Sequence, residues 1–198
     1  MAVDLPVAGA SQSGIFTRNP SRPPMKSSFA SIGRLAALLL AGTAAAVAAP
    51  PAVDCLAKLQ SLVGDWSGTA RDEDSGGPVR VSYRLTGAGS VVVENLFPGT
   101  PHEMMTVYHL DGDRLMLTHY CAAKNQPRMV LDPASTTGEF IFTFAGGTNL
   151  TPGQGTYMSG ARIRFVDADT IESAWELLSD GKPAGTKRFF LKRVKPPS

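Results

Sequence analysis

The chain has 198 residues, of which 43% are apolar and 18% charged; this length suits one domain and leaves no room for two well-packed cores. Two cysteines exclude a disulfide-stapled miniprotein and a four-thiolate zinc site. The formal net charge of +2 belongs to the first 48 residues, because residues 49–198 hold 15 cations and 16 anions, which argues against a nucleic-acid-binding protein with a basic face.

Residues 25–48 have the pattern of a signal peptide. Lys26 and Arg34 give a positively charged start, residues 35–47 are apolar, and a small-x-small cleavage sequence ends at Ala48. A membrane-spanning helix needs about 20 apolar residues, so no stable membrane anchor is expected. The sequence therefore predicts cleavage near Ala48 and a periplasmic or secreted protein.

Residues 1–24 precede Met25, a good start for the signal peptide, and have no strong apolar period. Two interpretations stay open for them. Either translation begins at Met25, so that residues 1–24 are a mis-annotated extension, or translation begins at Met1 and the extension is disordered.

Residues 52–63 place leucines at helical intervals and predict a short amphipathic helix. Asp54 is the expected N-cap, and Gly64 is expected to end the helix. This helix would lead directly into the first strand.

The rest of the chain has the pattern of a β-meander, with short runs of Val, Ile, Thr and aromatic residues separated by Gly, Pro and Asp turns. Such a meander avoids exposed edges by closing on itself. The sequence therefore predicts an all-β fold over residues 52–195, an antiparallel up-and-down β-barrel of about ten strands with a short N-terminal helix; a sandwich is the alternative. The predicted strands are residues 66–71, 79–85, 90–97, 103–110, 114–121, 128–131, 139–144, 162–166, 170–178 and 187–194, and residues 146–160 form the longest predicted loop.

All three histidines lie in residues 101–130, which form a predicted hairpin around a turn at residues 111–113. Alternate residues of a strand face the same side, so if Leu115 and Leu117 point into the barrel, His119 points inward with them. The register depends on whether the turn holds two residues or three. The facing strand then contributes either His102, Met104, Thr106 and Tyr108 or Glu103, Met105, Val107 and His109.

Glu94 follows three valines, so it is either the outward residue of an alternating strand or a buried acid. A buried acid needs a partner, since an unpaired charge in an apolar interior is very costly. Arg128 is the candidate partner through a bidentate ion pair. In the alternative, both side chains are solvated on the outer face.

His119 is the centre of the candidate ligand-binding site. It follows an alternating apolar strand, and polar side chains come just after it in the sequence. The complete predicted set of ligand-binding residues is Glu94, Tyr108, His119, Tyr120, Asn125, Gln126 and Arg128.

Trp66 is predicted to plug the closed end of the barrel beneath the helix, and Trp175 to lie in the interior. Cys55 and Cys121 form one disulfide in an oxidising compartment if their positions allow it; Cys121 as a free thiol is the alternative. The sequence holds no phosphate-binding loop, H-E-x-x-H, C-x-x-C or G-x-S-x-G motif, which argues against nucleotide hydrolysis, zinc proteolysis and thioredoxin-like chemistry.

Five motifs stand out: LVGDWSG at 62–68, HEMMTVYHLDGD at 102–113, LTHYC at 117–121, NQPRM at 125–129 and GGTNL at 146–150. With these motifs, residues 56–193 resemble an uncharacterised family of bacterial lipocalin-like proteins. The resemblance implies a calycin-type β-barrel that is often exported and has no assigned activity.

A more distant resemblance is to nitrobindin-like haem-binding barrels, which open with a similar Gly-x-Trp-x-Gly. Their iron is held by a histidine near the C-terminus, whereas residues 187–194 contain no histidine. We therefore expect no haem and no other cofactor.

The sequence predicts an exported barrel that binds a small apolar or amphipathic molecule, oriented by Glu94, Tyr108, His119 and Arg128. It predicts no metal site, no nucleic-acid partner and no catalytic residue, and it leaves the oligomeric state open. Two alternatives remain. One is a structural or interaction barrel with a packed interior, and the other is an acid–base enzyme, an isomerase or hydrolase, that uses His119.

Overall fold

The computed structural model describes residues 49–71, 76–151 and 153–195, so the predicted extension (1–24) and signal peptide (25–48) lie outside the described residues. The described chain contains one short α-helix followed by ten strands, with a 3₁₀ turn at Gly87–Gly89 between the second and third strands. They are α1 Ala52–Gln60, β1 Gly64–Arg71, β2 Gly76–Thr86, β3 Val91–Leu96, β4 Met104–Asp111, β5 Arg114–Tyr120, β6 Gln126–Leu131, β7 Glu139–Thr148, β8 Thr156–Phe165, β9 Thr170–Ser179 and β10 Lys182–Arg193.

The strands form a closed antiparallel barrel in which each strand pairs with its neighbours in the chain. The barrel closes between β1 and β10, where Trp66 lies opposite Arg193 and Ala70 opposite Phe189. Closure leaves no unpaired sheet edge. The predicted up-and-down barrel of about ten strands is confirmed, and the sandwich alternative is wrong.

The strands extend into the loop predicted at residues 146–160, because β7 ends at Thr148 and β8 begins at Thr156. Thr148 still pairs with Gln126 on β6, and Thr156 already pairs with Ser179 on β9. The sequence did not predict these strand ends, because their glycines and threonines do not give the alternating apolar pattern of a strand.

Asp54 is not the N-cap that the sequence predicts. Pro51 occupies that position without a side-chain cap, and Asp54 lies in the first turn of α1. A carboxylate there is favoured by the positive end of the helix dipole rather than by capping geometry.

The end of the barrel next to α1 is filled by side chains. Trp66 is buried there, its Nε1–H donates to the Leu62 carbonyl at 2.8 Å, and its ring meets the edge of Tyr83. Leu59 on α1 is also fully buried. The predicted role of Trp66 as a plug beneath the helix is confirmed, and Trp175 is buried in the interior as predicted.

Arg193 stabilises this closed end of the barrel. Its guanidinium carbon lies 4.4 Å from the centre of the Trp66 ring. Two of its nitrogens donate to the backbone carbonyls of Val63 and Ser61, each at 2.8 Å. The last strand is thereby tied to the segment that joins α1 to β1, and the planar guanidinium supplies both the stacking and the forked donors.

Gly68 allows β1 and β10 to pair closely. A Cβ atom at this position would lie 1.8 Å from the carbonyl oxygen of Phe190, a backbone atom that cannot move aside alone. The second glycine of the Gly-x-Trp-x-Gly sequence is therefore required by the closure of the barrel.

Among residues 49–71, 76–151 and 153–195, no helix is long and apolar enough to cross a membrane.

Candidate ligand-binding cavity

A cavity of about 770 Å³ opens into the barrel at the end opposite α1. This volume falls in the range of roughly 300–1,000 Å³ that is typical of small-molecule sites. The wall is mostly apolar, with a few polar and cationic side chains. It is formed by Ala70, Arg71, Leu96, Phe97, Thr100, His102, Met104, His119, Met158, Trp175, Lys187, Arg188 and Phe189.

A row of four buried polar side chains crosses the inner surface of β2 to β5. The register places Tyr83 opposite Glu94, Glu94 opposite Thr106, and Thr106 opposite His119. All four side chains are almost completely buried. Since directly opposed residues have Cβ atoms about 4.5–5.5 Å apart, the row can act as a continuous network.

The register of the β4–β5 hairpin decides the alternative that the sequence left open. Asp111 pairs with Arg114, so the turn holds two residues. The inward-facing residues of β4 are therefore Thr106 and Tyr108, while Val107 and His109 face the other side.

Glu94 is a buried acid, 1% exposed, held by hydroxyl groups. Tyr83 donates to Oε1 at 2.9 Å and Tyr108 donates to Oε2 at 2.7 Å. Thr106 lies directly opposite Glu94 on β4. Burial raises the pKa of Glu94, and the nearby hydroxyl groups of Tyr108, Tyr83 and Thr106 oppose that rise because they stabilise the charged form.

Both tyrosines of this network stay protonated donors. Burial, followed by the charge of Glu94, raises the pKa of Tyr83 and of Tyr108 well above the ordinary value of a phenol. Both tyrosines are therefore neutral donors to the side chain of Glu94.

The predicted ion pair between Glu94 and Arg128 is wrong. Arg128 is exposed, and it lies opposite Thr118, on the face of the sheet opposite to that of His119. Strand alternation places its guanidinium outside the barrel, whereas Glu94 points inward.

His119 lies at the junction of the polar network and the cavity. Its Nδ1 is 3.0 Å from the Thr106 hydroxyl, and its ring packs against Trp175 with centroids 4.6 Å apart. Burial lowers the pKa of His119 to about 4, so the ring is neutral at pH 7. Within the described residues, neither Nε2 of His119 nor Nε1 of Trp175 has a hydrogen-bond partner.

Of the seven predicted ligand-binding residues, His119 alone lines this cavity; Glu94 and Tyr108 lie in the buried polar row, and the other four lie outside both. Tyr120 is 49% exposed on the outer surface. Asn125 is buried and donates to the Thr156 carbonyl at 2.8 Å. Gln126 accepts hydrogen bonds from Thr148 and Asn149. The structure thus brings together Glu94, Tyr108 and His119, and separates them from Tyr120, Asn125, Gln126 and Arg128.

Sequence reasoning missed Tyr83 and most of the cavity wall. Tyr83 continues the inward alternation of Val79 and Val81, which was a usable signal for its orientation. Arg71 and Arg188, two exposed cations at the cavity edge, are directly opposed across the β1–β10 closure. This pairing joins the first and last strands of the barrel, so no local pattern in the sequence predicts it.

The structure does not bring Cys55 and Cys121 together, and both are free thiols. Cys55 lies on α1, before the first strand, whereas Cys121 follows the end of β5. Burial raises the pKa of the Cys55 thiol, which lowers its reactivity. In the described part of the chain, no group of three or more His, Cys, Asp or Glu side chains could hold a metal ion.

Two solved structures resemble this barrel. Rv2717c from M. tuberculosis superimposes with a TM-score of 0.53 at 14% sequence identity, over 74% of this chain and 99% of that one. A protein of unknown function from the DUF3598 family of Nostoc punctiforme has a TM-score of 0.48 at 15% identity, over 69% of this chain and 48% of that one, so this chain spans about half of its length. At such identities the likeness to Rv2717c shows a shared fold.

No family model and no curated protein matches the chain. Membership of the lipocalin-like family stays a prediction.

Proposed function

We propose that the barrel binds a small, mostly apolar or amphipathic molecule in the cavity opposite α1. The observation that carries the proposal is an apolar cavity of about 770 Å³ with His119 and Trp175 in its wall, each with a buried nitrogen that has no hydrogen-bond partner among the described residues. An apolar wall with a few oriented polar groups is the usual design of a small-molecule site.

The same features give less support to the two alternatives. A packed structural barrel would have its interior filled at both ends, whereas side chains fill the end next to α1 and leave the cavity at the other. An acid–base enzyme needs a group that holds a proton near the working pH. His119, with a pKa lowered to about 4, is a weak base for that purpose.

We also propose that the protein works outside the cytoplasm. The proposal rests on the signal-peptide pattern of residues 25–48. Intact mass measurement on protein recovered from a periplasmic fraction or the medium of its own cells is expected to show a chain that begins just after Ala48. An uncleaved chain found only in the cytoplasm would refute export.

Binding can be tested by fluorescence titration with N-phenyl-1-naphthylamine, a probe that brightens in apolar sites. Ala70 lines the cavity, so Ala70→Phe fills part of it without removing a polar group. Thr69, the adjacent residue on the exposed face of β1, gives the matched control Thr69→Phe. We expect saturable binding by the wild type and by Thr69→Phe, and binding at least about tenfold weaker in Ala70→Phe.

Two results would count against this function. The first is no saturable binding by the folded wild type. The second is equal binding by all three proteins, which would place the probe outside the cavity.

A further inference from the structure

The charged side chains in the cavity wall all carry a positive charge. They are Arg71 at the end of β1 and Lys187 and Arg188, two consecutive residues of β10. The other lining side chains are apolar or aromatic, apart from one threonine and two histidines. Within the described residues no Asp or Glu side chain lines the cavity. The cavity thus combines an apolar interior with a positively charged rim, formed by these three residues.

Lys187 faces the cavity because of its position on β10. It lies directly opposite Trp175 on β9, which also lines the cavity. Phe189, two residues further along the strand, is another lining residue, so the alternation of side chains places Lys187 on the inner face. β10 ends beside α1, and Lys187 therefore lies nearer than Phe189 to the open end of the barrel. Its half-buried side chain can lie along the apolar wall and keep the ammonium group at the cavity opening.

Arg188 and Arg71 extend the positive charge along the rim. The two arginines are directly opposite each other across the β1–β10 pair, where like charges repel. The guanidinium carbon of Arg71 lies 4.8 Å from the centre of the Phe190 ring, and among the described residues neither arginine forms an ion pair. An anion beside Arg188 would offset the repulsion, and a guanidinium group can bind a carboxylate through two parallel hydrogen bonds.

The interior of the barrel is unsuited to a negatively charged group. Glu94 is the next inward residue of β3 beyond Leu96, which lines the cavity. Glu94 is buried, and its side chain already accepts hydrogen bonds from Tyr83 and Tyr108. A second anion placed near it would lose its hydration and meet a like charge when Glu94 is ionised. The anionic group of a ligand is therefore favoured at the rim, and its apolar part in the interior.

We propose that the cavity binds an amphipathic anion, with its apolar tail in the interior and its anionic head held at the rim by Lys187 and Arg188. This inference rests on the proposed function and names the class of ligand for that cavity. Burial of the tail supplies most of the affinity, and the charge of the rim selects the head. A long-chain carboxylate is the simplest molecule of this class. The rim also sets the orientation of the ligand, because the head stays in contact with water and with the cations.

Three probes of similar size separate the head groups: nonanoate, the neutral ester methyl octanoate, and nonylammonium. Each is used at pH 7.5 to displace N-phenyl-1-naphthylamine from the wild-type protein. We expect half-displacement by nonanoate at a concentration about tenfold or more below that of the ester, and by nonylammonium at a concentration above that of the ester. Asp72, Glu73 and Asp74 follow Arg71 in the sequence and lie outside the described residues, and the comparison measures the rim with their charge included.

Salt gives an independent measure of the charge contribution. Raising the NaCl concentration from about 20 mM to about 500 mM shortens the range of electrostatic interactions. We expect nonanoate to bind at least about threefold more weakly at the higher concentration, whereas binding of the ester is not weakened. Equal responses of the two probes would contradict an ionic contact with the head.

Substitutions assign the contact to the rim. Lys187→Gln and Arg188→Gln each remove one positive charge, and we expect each to weaken binding of nonanoate at least about threefold while the ester binds within about twofold of the wild type. In the double variant the preference for nonanoate over the ester is expected to fall to within about twofold. Because Arg188 is exposed, Arg188→Gln tests the contact without disturbing the core. Lys192→Gln removes an exposed cation of the same strand that does not line the cavity, and it should keep the wild-type preference.

The displacement results distinguish this inference from the proposed function. Equal displacement by nonanoate and the ester would refute the selection of an anion while leaving the cavity as a binding site. Tightest binding by nonylammonium would also refute it. A preference for nonanoate that survives in the double variant would refute the assignment of the head to Lys187 and Arg188. Failure of the fluorescent probe to bind at all would refute the proposed function itself.

Discussion

The buried, neutral His119 makes a quantitative prediction about stability at acid pH. Burial lowers its pKa to about 4 from an ordinary 6.5. As the pH falls through this interval the unfolded chain takes up the proton first, so the free energy of the unfolded state falls relative to that of the native state. Stability from this residue is complete above pH 6.5 and is lost as the pH falls to about 4.

The size of the effect follows from the two pKa values. Each pKa unit corresponds to about 1.4 kcal/mol, so the interval corresponds to about 3 kcal/mol. Such a loss is a large part of the roughly 5–15 kcal/mol by which typical domains are stable. Glu94 contributes with the opposite sign, because its pKa is raised and its share of stability is lost as the pH rises.

Comparison with His119→Phe isolates the histidine, since Glu94 is present in both proteins. Urea unfolding followed by circular dichroism at steps from pH 7 to pH 4 gives the free energy of unfolding of each. We expect the wild type to lose about 3 kcal/mol more than His119→Phe over this range. The exposed His102 provides the control His102→Phe, which should lose as much as the wild type. Equal losses by the wild type and His119→Phe would refute the assignment of a depressed pKa to His119.

Three further substitutions test the packing. Gly68→Ala places a methyl group against a β10 carbonyl, and we expect it to cost about 4 kcal/mol or more in urea unfolding, or to prevent folding. Arg193→Lys keeps the charge but loses the forked donors and the planar stacking at the closed end, with an expected cost of about 1–3 kcal/mol in the same assay. Tyr108→Phe removes one donor from the Glu94 carboxylate; we expect a cost of about 1–3 kcal/mol at pH 7 that shrinks at pH values where Glu94 is protonated.

The sequence predicted the barrel because its signals are local. Inward and outward alternation and turn residues recur along the whole chain, and a meander of this length has few ways to cover its edges. Even the plug at Trp66 could be predicted, because a large apolar ring directly after a short amphipathic helix has a natural place beneath it.

Predicting the polar network required the length of the β4–β5 turn, which the sequence did not establish. With two residues in that turn, Gly112 takes a positive φ of 63° and Thr106 lies opposite His119. With three residues in the turn, the other set of β4 side chains would face inward. Predicting the contacts of Tyr83 and Glu94 required, in the same way, the registers of the β2–β3 and β3–β4 pairs. Without these registers, opposite charge alone led to the wrong prediction that Arg128 is the partner of Glu94.

The cavity wall was harder to predict, because its residues come from distant parts of the chain. Trp175 on β9 and Phe189 on β10 meet His119 on β5 only after the barrel has closed. Sequence alternation shows which residues face inward, but it does not show at which height along the barrel the side chains stop filling the space.

The central claim is that a small molecule occupies this cavity, and methionine methyl groups report on it directly. Met104 and Met158 line the cavity, whereas Met105 faces outward from the same end of β4. With ¹³C-methyl-labelled methionine and saturating N-phenyl-1-naphthylamine, we expect shifts and intermolecular nuclear Overhauser effects at Met104 and Met158, and none at Met105. Unchanged signals from Met104 and Met158, or effects confined to Met105, would contradict the account.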